Sequence, residues 1–390
     1  MEAIAQEIQK LHANTDEAGR GKINHELSVL LASFDTDWEK ILKLAAGPLR
    51  LALVKVGVDQ GIFHALNERS HTLPELIEKT GVAPYLLERI LRGQASFGMI
   101  KEEGAKGFAA NRFTTLLAGP NTSGAVTYIF DILRPIASAI PGFLSERNNP
   151  AITSTHDTVF QRAFNTELGG FEWMTGHPEH YGNLFQFLAL RPNCEWVDAF
   201  PIEAEIGSFS NDPHVEKVLL VDVGGGTGAQ SVAFRKKLPH VKGRVIVQEI
   251  AETLIHVGAK APAGIEFMEY DCFTPQPIRG AKFYYLRYVM HLWQDERCVE
   301  ALKVIITAMG PESRLIIDEA VIPDRDVPWQ AACQSILMTA ALAGAERTLT
   351  EWHNLLDAAG LKILNIFPYD LNMQSVIIAV PKYELGVVHT

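Results

Sequence analysis

VLLVDVGGGTGAQ, residues Val218 to Gln230, runs four apolar β-formers into Asp222 and then into Gly224, Gly225, Gly226, Thr227 and Gly228. The residues that follow, GAQSVAFRKKLP, have helical composition. Together they predict a buried strand, a glycine turn and a helix N-terminus. Glycines there let backbone approach a ligand, and the unpaired N–H groups and positive dipole end of the helix face whatever binds. No third glycine follows at the spacing that packs helix on strand in the dinucleotide fingerprint. A nucleoside without phosphates fits the turn better.

The next two strands point the same way. GRVIVQEI, Gly243 to Ile250, lies about 20 residues on and ends at Glu249, where an acid accepts both hydroxyls of an adenosine ribose. IEFMEYDCF carries Asp271 at its end, placed to meet an adenine edge. Any one acid at a strand end is as easily a helix cap or a solvated loop residue. Both of these in register with a glycine turn indicate an adenosine-type cofactor.

A chain of 390 residues has room for two domains and a large core. Its 47% hydrophobic and 21% charged residues are those of a soluble globular protein. The formal net charge of -11 gives no electrostatic footprint for nucleic acid or an anionic membrane. No apolar run reaches membrane-spanning length, and MEAIAQEIQK carries acids where a signal peptide starts basic and then apolar. A cytoplasmic protein is expected. Cys194, Cys272, Cys298 and Cys333 are scattered, without C-x-x-C or a histidine at ligand spacing, so buried apolar thiols are expected in place of disulfides or a zinc site.

Residues Met1 to Asp37 give a weakly amphipathic helical pattern that lies over its own domain or packs on a partner. The run from Trp38 to Asn67 has too many Leu, Val and Ala for one stripe, which predicts a helix buried nearly all round. From His71 to Asn111 the order is helix, turn at Gly81, helix, and a hairpin turned at Gly104, the layout of a winged helix. Its second helix offers only Arg89 and Arg92 beside Glu88, so the unit is expected to be structural and not a DNA reader. Tyr128 to Phe200 is helical and aromatic-rich, with Phe160, Phe164, Phe171, Trp173, Met174, Phe185 and Phe187 densest. Most of these are expected in a helical core and some in an apolar substrate pocket.

A polar stretch within Glu205 to Pro213 suggests a boundary between residues 1–207 and 208–390. Beyond it strands and helices alternate, which specifies an open, mostly parallel α/β sheet with ligands beyond the C-terminal strand edge. At that edge lie Arg287, His291 and Trp293, then Asp318 and Glu319, then Glu346 and Arg347. A lone histidine after a strand is more often structural. Two carboxylates reaching the same edge single out His291 as a general base, with Glu319 and Glu346 orienting its imidazole.

DVGGGTG, the run from Leu286 to Asp295, DEAVIPD and AxERT together resemble the S-adenosylmethionine-dependent O-methyltransferases of small phenolic and polyketide natural products. FNTELGGFEWMTGHPE and the N-terminal helices are similar to the fungal branch, so the resemblance spans nearly the whole chain. It implies a Rossmann-like class I methyltransferase domain behind an all-helical, winged-helix-containing dimerisation domain, and a homodimer formed through the N-terminal helices. It assigns S-adenosylmethionine to Gly224, Gly226, Glu249, Asp271, Cys272, Arg287 and Trp293. It assigns catalysis to His291, Glu319 and Glu346, and a small-molecule substrate to Tyr128, Phe164, Phe171, Trp173, Met174, Leu292 and Met338. In that mechanism the histidine deprotonates a hydroxyl whose oxygen attacks the sulfonium methyl in line, and no metal is needed.

Two positions depart from the family pattern: Leu292 stands where His-Asp-Trp is usual, and Glu249 replaces an aspartate. The first matters because the chain also resembles a branch that keeps the cofactor for its charge and catalyses dehydrations and ring closures, among them a leporin-pathway pericyclase. There a pocket histidine falls on Tyr128 and an Arg-Asp pair on His291 and Leu292. The retained base favours methyl transfer, with pericyclic chemistry as the alternative. A non-catalytic metabolite sensor acting through the winged helix is a third reading, disfavoured by the acidic charge.

Overall fold

In a computed structural model, residues 2–15, 17–148, 151–190, 196–207, 209, 217–257, 262–370 and 373–382 are described. Cys194 and most of the proposed linker lie outside them. Packing divides the chain into two units, one of residues 1–146 and 162–192, the other of residues 147–161 and 193–390. This division differs from a single cut at 207/208.

The first unit opens with helices α1 (Glu2–Ala13), α2 (Glu17–Phe34) and α3 (Asp37–Asp59). Thr36 starts α3 with a capping box that includes Glu39. The expectation that the segment from Trp38 is buried nearly all round does not hold. Of α3 only Leu53 and Gly57 are buried, whereas Trp38, Ile41, Leu42, Leu44 and Leu49 stand 45–74% exposed. Apolar density fixes that a surface will be covered, but not that the same chain covers it.

The winged helix follows as α4 (Ile62–Glu68), β1 (His71–Thr72), α5 (Leu73–Thr80), α6 (Pro84–Ser96), β2 (Lys101–Glu103) and β3 (Gly107–Ala109), with strand order β1-β3-β2. Its core is Ile62, Phe63, Leu76, Leu87, Leu91 and Met99. The two arginines of α6 are engaged locally: Arg92 pairs with Glu88 at 3.0 Å, and the Arg89 guanidinium lies 4.1 Å from the centre of the Tyr85 ring. The remaining helices are α7 (Arg112–Leu117), α8 (Thr122–Tyr128), a π-helical turn (Ile129–Leu133), α9 (Arg134–Glu146), α10 (Val159–Phe164), α11 (Gly170–Thr175) and α12 (Pro178–Leu188).

Beyond residues 147–161 the second unit continues with α13 (Trp196–Ala199) and α14 (Ile202–Ile206). Glu205 and Ile206 are therefore helical and not linker: Ile206 is buried, and Glu205 accepts from Arg314 Nε at 3.0 Å. Trp196 stacks on Tyr285 with ring centroids 4.2 Å apart, which fastens this segment to the sheet. Next come β4 (Val218–Val223), α15 (Ala229–Lys237), β5 (Arg244–Glu249), α16 (Ala251–Val257), β6 (Glu266–Glu269), β7 (Phe283–Arg287) and α17 (Asp295–Ile306). The chain closes with β8 (Arg314–Ile322), α18 (Trp329–Leu342), β9 (Arg347–Thr348), α19 (Leu349–Ala359), β10 (Leu361–Pro368) and β11 (Gln374–Pro381).

The sheet order is β10-β11-β8-β7-β4-β5-β6, with β9 beside β8. Strands β4 to β8 pair in parallel and β11 pairs antiparallel with β8 and β10. Val221, Leu286 and Ile317 face one buried cluster, and Leu220, Tyr285 and Ile316 face the other, as strands covered on both sides require. Strand order reverses at β4, so the crevice beyond β4 and β7 is the topological switch point.

Candidate active site

β7 ends at Arg287, and the chain turns through Tyr288 (φ 54°) into the 3₁₀ turn Met290–Leu292 that carries His291. A bulky residue at positive φ persists only where its surroundings hold it. Three groups do so here. Glu319 Oε1 accepts the backbone N–H groups of Val289 and Met290 at 2.8 and 2.9 Å. Arg347 donates through Nη1 to Met290 O at 2.9 Å, through Nη2 to Trp293 O at 2.7 Å, and through Nε to Asp295 Oδ1 at 2.8 Å. Gly344 packs so closely that a Cβ there would lie 1.9 Å from His291 O.

His291 is 5% exposed, and its Nδ1 lies 2.8 Å from Glu346 Oε1 and 3.8 Å from Glu319 Oε2. Both acids thus face the same ring nitrogen. A carboxylate on Nδ1 fixes the proton there and puts the basic lone pair on Nε2. Burial holds the Glu319 carboxyl well above the usual carboxylate range, against the pull of His291 and with the push of Glu346. The three side chains present ligand atoms within 4.8 Å of one another. A divalent cation there would have to displace the Nδ1 proton from Glu346.

Adjacent residues of a strand face opposite sides, so Asp318 leaves this cluster for the other face of the sheet. There Tyr285 Oη and Tyr369 Oη donate to Asp318 at 2.6 and 2.7 Å, Gln374 Nε2 donates at 2.8 Å, and Arg287 Nη1 lies 3.2 Å away. Burial alone would lower Arg287, but Tyr285 and Asp318 hold it above its ordinary value.

The glycine turn forms as the sequence predicts. Gly224 takes φ 72° and donates to Gln248 O at 2.8 Å, and a Cβ on it would meet Val289 at 2.8 Å. Gly226 N–H donates to Glu249 Oε1 at 2.9 Å, and a Cβ on Gly226 would point into open space. A backbone donor, a carboxylate beside it and open space beyond Gly226 at the strand edge fit a nucleoside. Burial raises Glu249, with the Gly226 N–H working against it. Asp222 lies fully buried beneath the turn, accepts from Ser231 Oγ at 2.7 Å, and is pushed by burial up to about 7.

Asp271 Oδ1 accepts the Phe273 N–H at 3.0 Å, an Asx turn at the end of β6. Cys272 is half-buried and pushed by burial, then by Asp271, up to about 12. Trp293 meets Phe273 edge-on at 4.9 Å. Of the four thiols expected to be buried, Cys298 is, but Cys333 is exposed on α18 because it lies on the outward stripe with Trp329 and Ile336.

The residues assigned to substrate fall in both units. Leu292 and Met338 are half-buried in the second. In the first, Tyr128 and Met174 are buried, Phe164 lies 4.8 Å from Trp173, and Phe171 is 37% exposed. Trp173 also stacks on His177 at 3.7 Å, a contact the sequence does not announce. Sequence reading also misses Asp222 under the turn, Gly344, and Gln334, whose Nε2 donates to Glu346 Oε1 at 2.7 Å.

The glycine turn with Glu249 at the switch point and a buried His–Glu pair in the turn after β7 are those of an S-adenosylmethionine-dependent methyltransferase. The O-methyltransferase domain family matches residues 214–362. Demethylsterigmatocystin 6-O-methyltransferase of Aspergillus parasiticus is 48% identical over 98% of both chains, and O-methyltransferase lepI of Aspergillus flavus is 35% identical over 94% of this chain and 95% of its own. The solved structure of LepI in complex with SAM superposes with a TM-score of 0.91 at 33% identity, covering 97% of this chain and 98% of that one. OxaC in complex with sinefungin and meleagrin gives a TM-score of 0.85 at 25% identity over 98% and 97%. The chain belongs to the fungal secondary-metabolite O-methyltransferases, with S-adenosylmethionine as cofactor.

Proposed function

We propose that the protein methylates a hydroxyl of an apolar aromatic, polyketide-type natural product, with demethylsterigmatocystin, the compound in the name of a 48%-identical relative, as the test acceptor. The observation that carries the reading is the 2.8 Å contact between His291 Nδ1 and Glu346 Oε1. It makes Nε2 the base. His291 takes the hydroxyl proton, the acceptor oxygen forms a bond to the methyl carbon, and the carbon–sulfur bond breaks. S-adenosylmethionine supplies that methyl on a sulfonium and leaves as a neutral thioether. Glu346 carries the balancing charge for the imidazolium until the proton passes to solvent.

The Gly224–Gly226 turn, Glu249, Asp271, Cys272, Arg287 and Trp293 are proposed to hold the cofactor. Glu249 must be ionised to accept a ribose diol, and two donated hydroxyls supply what burial removes. Tyr128, Phe164, Phe171, Trp173, Met174, Leu292 and Met338 are proposed as contacts to the acceptor. Leu292 supports an apolar ring edge where the family's usual aspartate would hold a second hydroxyl. We assign the exposed apolar residues of α2 and α3 to a homodimer interface. Among the described residues no helix is long and apolar enough to cross a membrane.

Pericyclic ring closure with the cofactor retained is the second reading, favoured by the 0.91 TM-score to LepI. Incubation with S-adenosylmethionine and demethylsterigmatocystin separates the two. A product heavier by one CH₂, with one S-adenosylhomocysteine formed per product, supports methyl transfer. Intact cofactor and an isomerised or dehydrated polyene from a parallel incubation would support the other.

A further inference from the structure

Two buried acids flank one imidazole nitrogen, and which of them is charged decides the tautomer. The loop carrying Glu346 folds back along α18. Thr339 Oγ1 donates to Gly344 O at 2.7 Å, Glu346 N–H donates to Ser335 Oγ at 3.3 Å, and Gln334 Nε2 donates to Glu346 Oε1 at 2.7 Å. Oε1 is the same oxygen that takes His291 Nδ1 at 2.8 Å. Only the NH₂ end of the amide can face a carboxylate, so the direction of that bond is fixed by chemistry.

We propose that Gln334 is a positioning residue that selects Glu346 as the ionised partner of His291 and thereby fixes the Nδ1–H tautomer. This rests on the reading of His291 as the base. Two donors converging on one oxygen stabilise the carboxylate over the acid. Glu319 is left to carry a proton. Its Oε1 accepts two backbone N–H groups, and its Oε2 lies 3.8 Å from Nδ1, beyond hydrogen-bond reach. Of the two acids only Glu346 reaches Nδ1 at hydrogen-bond distance, so its charge is the one the imidazole N–H stabilises. If the Gln334 donor is removed, the proton can pass from Glu319 to Glu346, whose O–H then hydrogen-bonds to a bare Nδ1 while the imidazole proton moves to Nε2 through solvent. The imidazole becomes the Nε2–H tautomer and its base points away from the acceptor.

Other charged or titratable groups around the cluster include Arg347, whose guanidinium is bound to the 290–295 segment, Asp295, Tyr288, whose ring centroid lies 5.4 Å from that of His291, and the Cys298 thiol, which donates to Met290 O at 3.1 Å. None of them contacts Glu346 Oε1 in a described hydrogen bond. Gln334 is thus a group through which the tautomer can be changed without touching either acid.

The test is nitrogen NMR on full-length protein labelled with ¹⁵N-histidine, the His291 signals being assigned by their loss in His291→Gln. Wild type is expected as the Nδ1–H tautomer at neutral pH. Gln334→Leu, close in shape but without a donor, is expected to move most of the population to Nε2–H and to lower kcat about 10²-fold with KM little changed. Gln334→Glu keeps the shape and donates only while protonated, so its Nδ1–H population should fall as pH rises. An Nδ1–H tautomer retained in both variants, with kcat within about twofold, would overturn the proposal. Should Gln334→Leu fail to fold, Gln334→Glu at two pH values decides alone. Activity lost in His291→Ala while both Gln334 variants keep the tautomer would sink this proposal and leave the methyltransferase reading standing.

Discussion

Replacing Gly344 with alanine should disable the enzyme without emptying its cofactor site. The added Cβ would fall 1.9 Å from His291 O, 2.7 Å from the Leu292 carbonyl carbon and 2.9 Å from the His291 carbonyl carbon, all backbone atoms that cannot swing aside. Real Cβ contacts do not come closer than 3.0 Å, so the His291 turn and the Gly344 loop must separate by about 1 Å. That turn is held from its other sides by Glu319 and Arg347, so the strain is shared between the base and its acid. A misplacement of about 1 Å at a catalytic group costs about 10²-fold in rate, or ~2.7 kcal/mol of transition-state stabilisation. Overpacking should lower stability by about 1–3 kcal/mol. The assay is kcat for methyl transfer beside the melting temperature and the calorimetric Kd for S-adenosylhomocysteine. The expected pattern is kcat down about 10²-fold, a modestly lower Tm, and Kd within about threefold of wild type. A Gly344→Ala protein with wild-type kcat would refute the claim that this close approach sets the imidazole.

The two acids should separate on substitution. Glu319→Gln keeps a carbonyl acceptor for Val289 and Met290 and mimics a neutral acid, so kcat should stay within about tenfold, whereas Glu346→Gln loses the tautomer and should cost about 10³-fold. Steady-state kinetics of the pair checks this, and equal losses would contradict it. Asp222 gives a pH signature in the cofactor-free protein. Its folded value of about 7 lies above the ordinary 3.8, so its contribution to stability is full below about pH 4 and lost as pH rises through 7. At ~1.4 kcal/mol per pH unit that loss is about 4 kcal/mol, and Asp222→Asn should flatten it in urea denaturation between pH 4 and 7. Finally, Leu42→Glu with Leu49→Glu should convert a dimer to a monomer by light scattering; an unchanged mass would remove α3 from the proposed interface.

The α/β half of this protein is nearly all legible because its strands are contiguous apolar runs separated by helices, and β4 to β8 fall where those runs lie. The meeting of His291, Glu319 and Glu346 is legible because Glu319 lies in the apolar strand β8 and Glu346 in a stretch that resembles a family motif. Gln334 is not. It reaches Glu346 only because the loop after α18 doubles back, and no periodicity in QSILMTAALAGAERT records that return. Gly344 reads as an ordinary loop glycine until a backbone carbonyl is found where its Cβ would be. Asp318 and Glu319 look alike as neighbours, yet strand geometry sends one to Tyr285 and Tyr369 and the other to the histidine turn. The error over α3 has the same root, since hydrophobicity reports a need for cover and not its source.

The central claim is that His291 transfers a proton so that a methyl can move. The most direct measurement is transfer of a labelled methyl from S-adenosylmethionine into the organic phase with demethylsterigmatocystin as acceptor, with wild type and His291→Ala side by side at equal cofactor saturation. Label is expected in the product for wild type, with a loss of at least about 10³-fold in the variant and cofactor affinity unchanged. Equal label from both proteins would show that His291 is not the base.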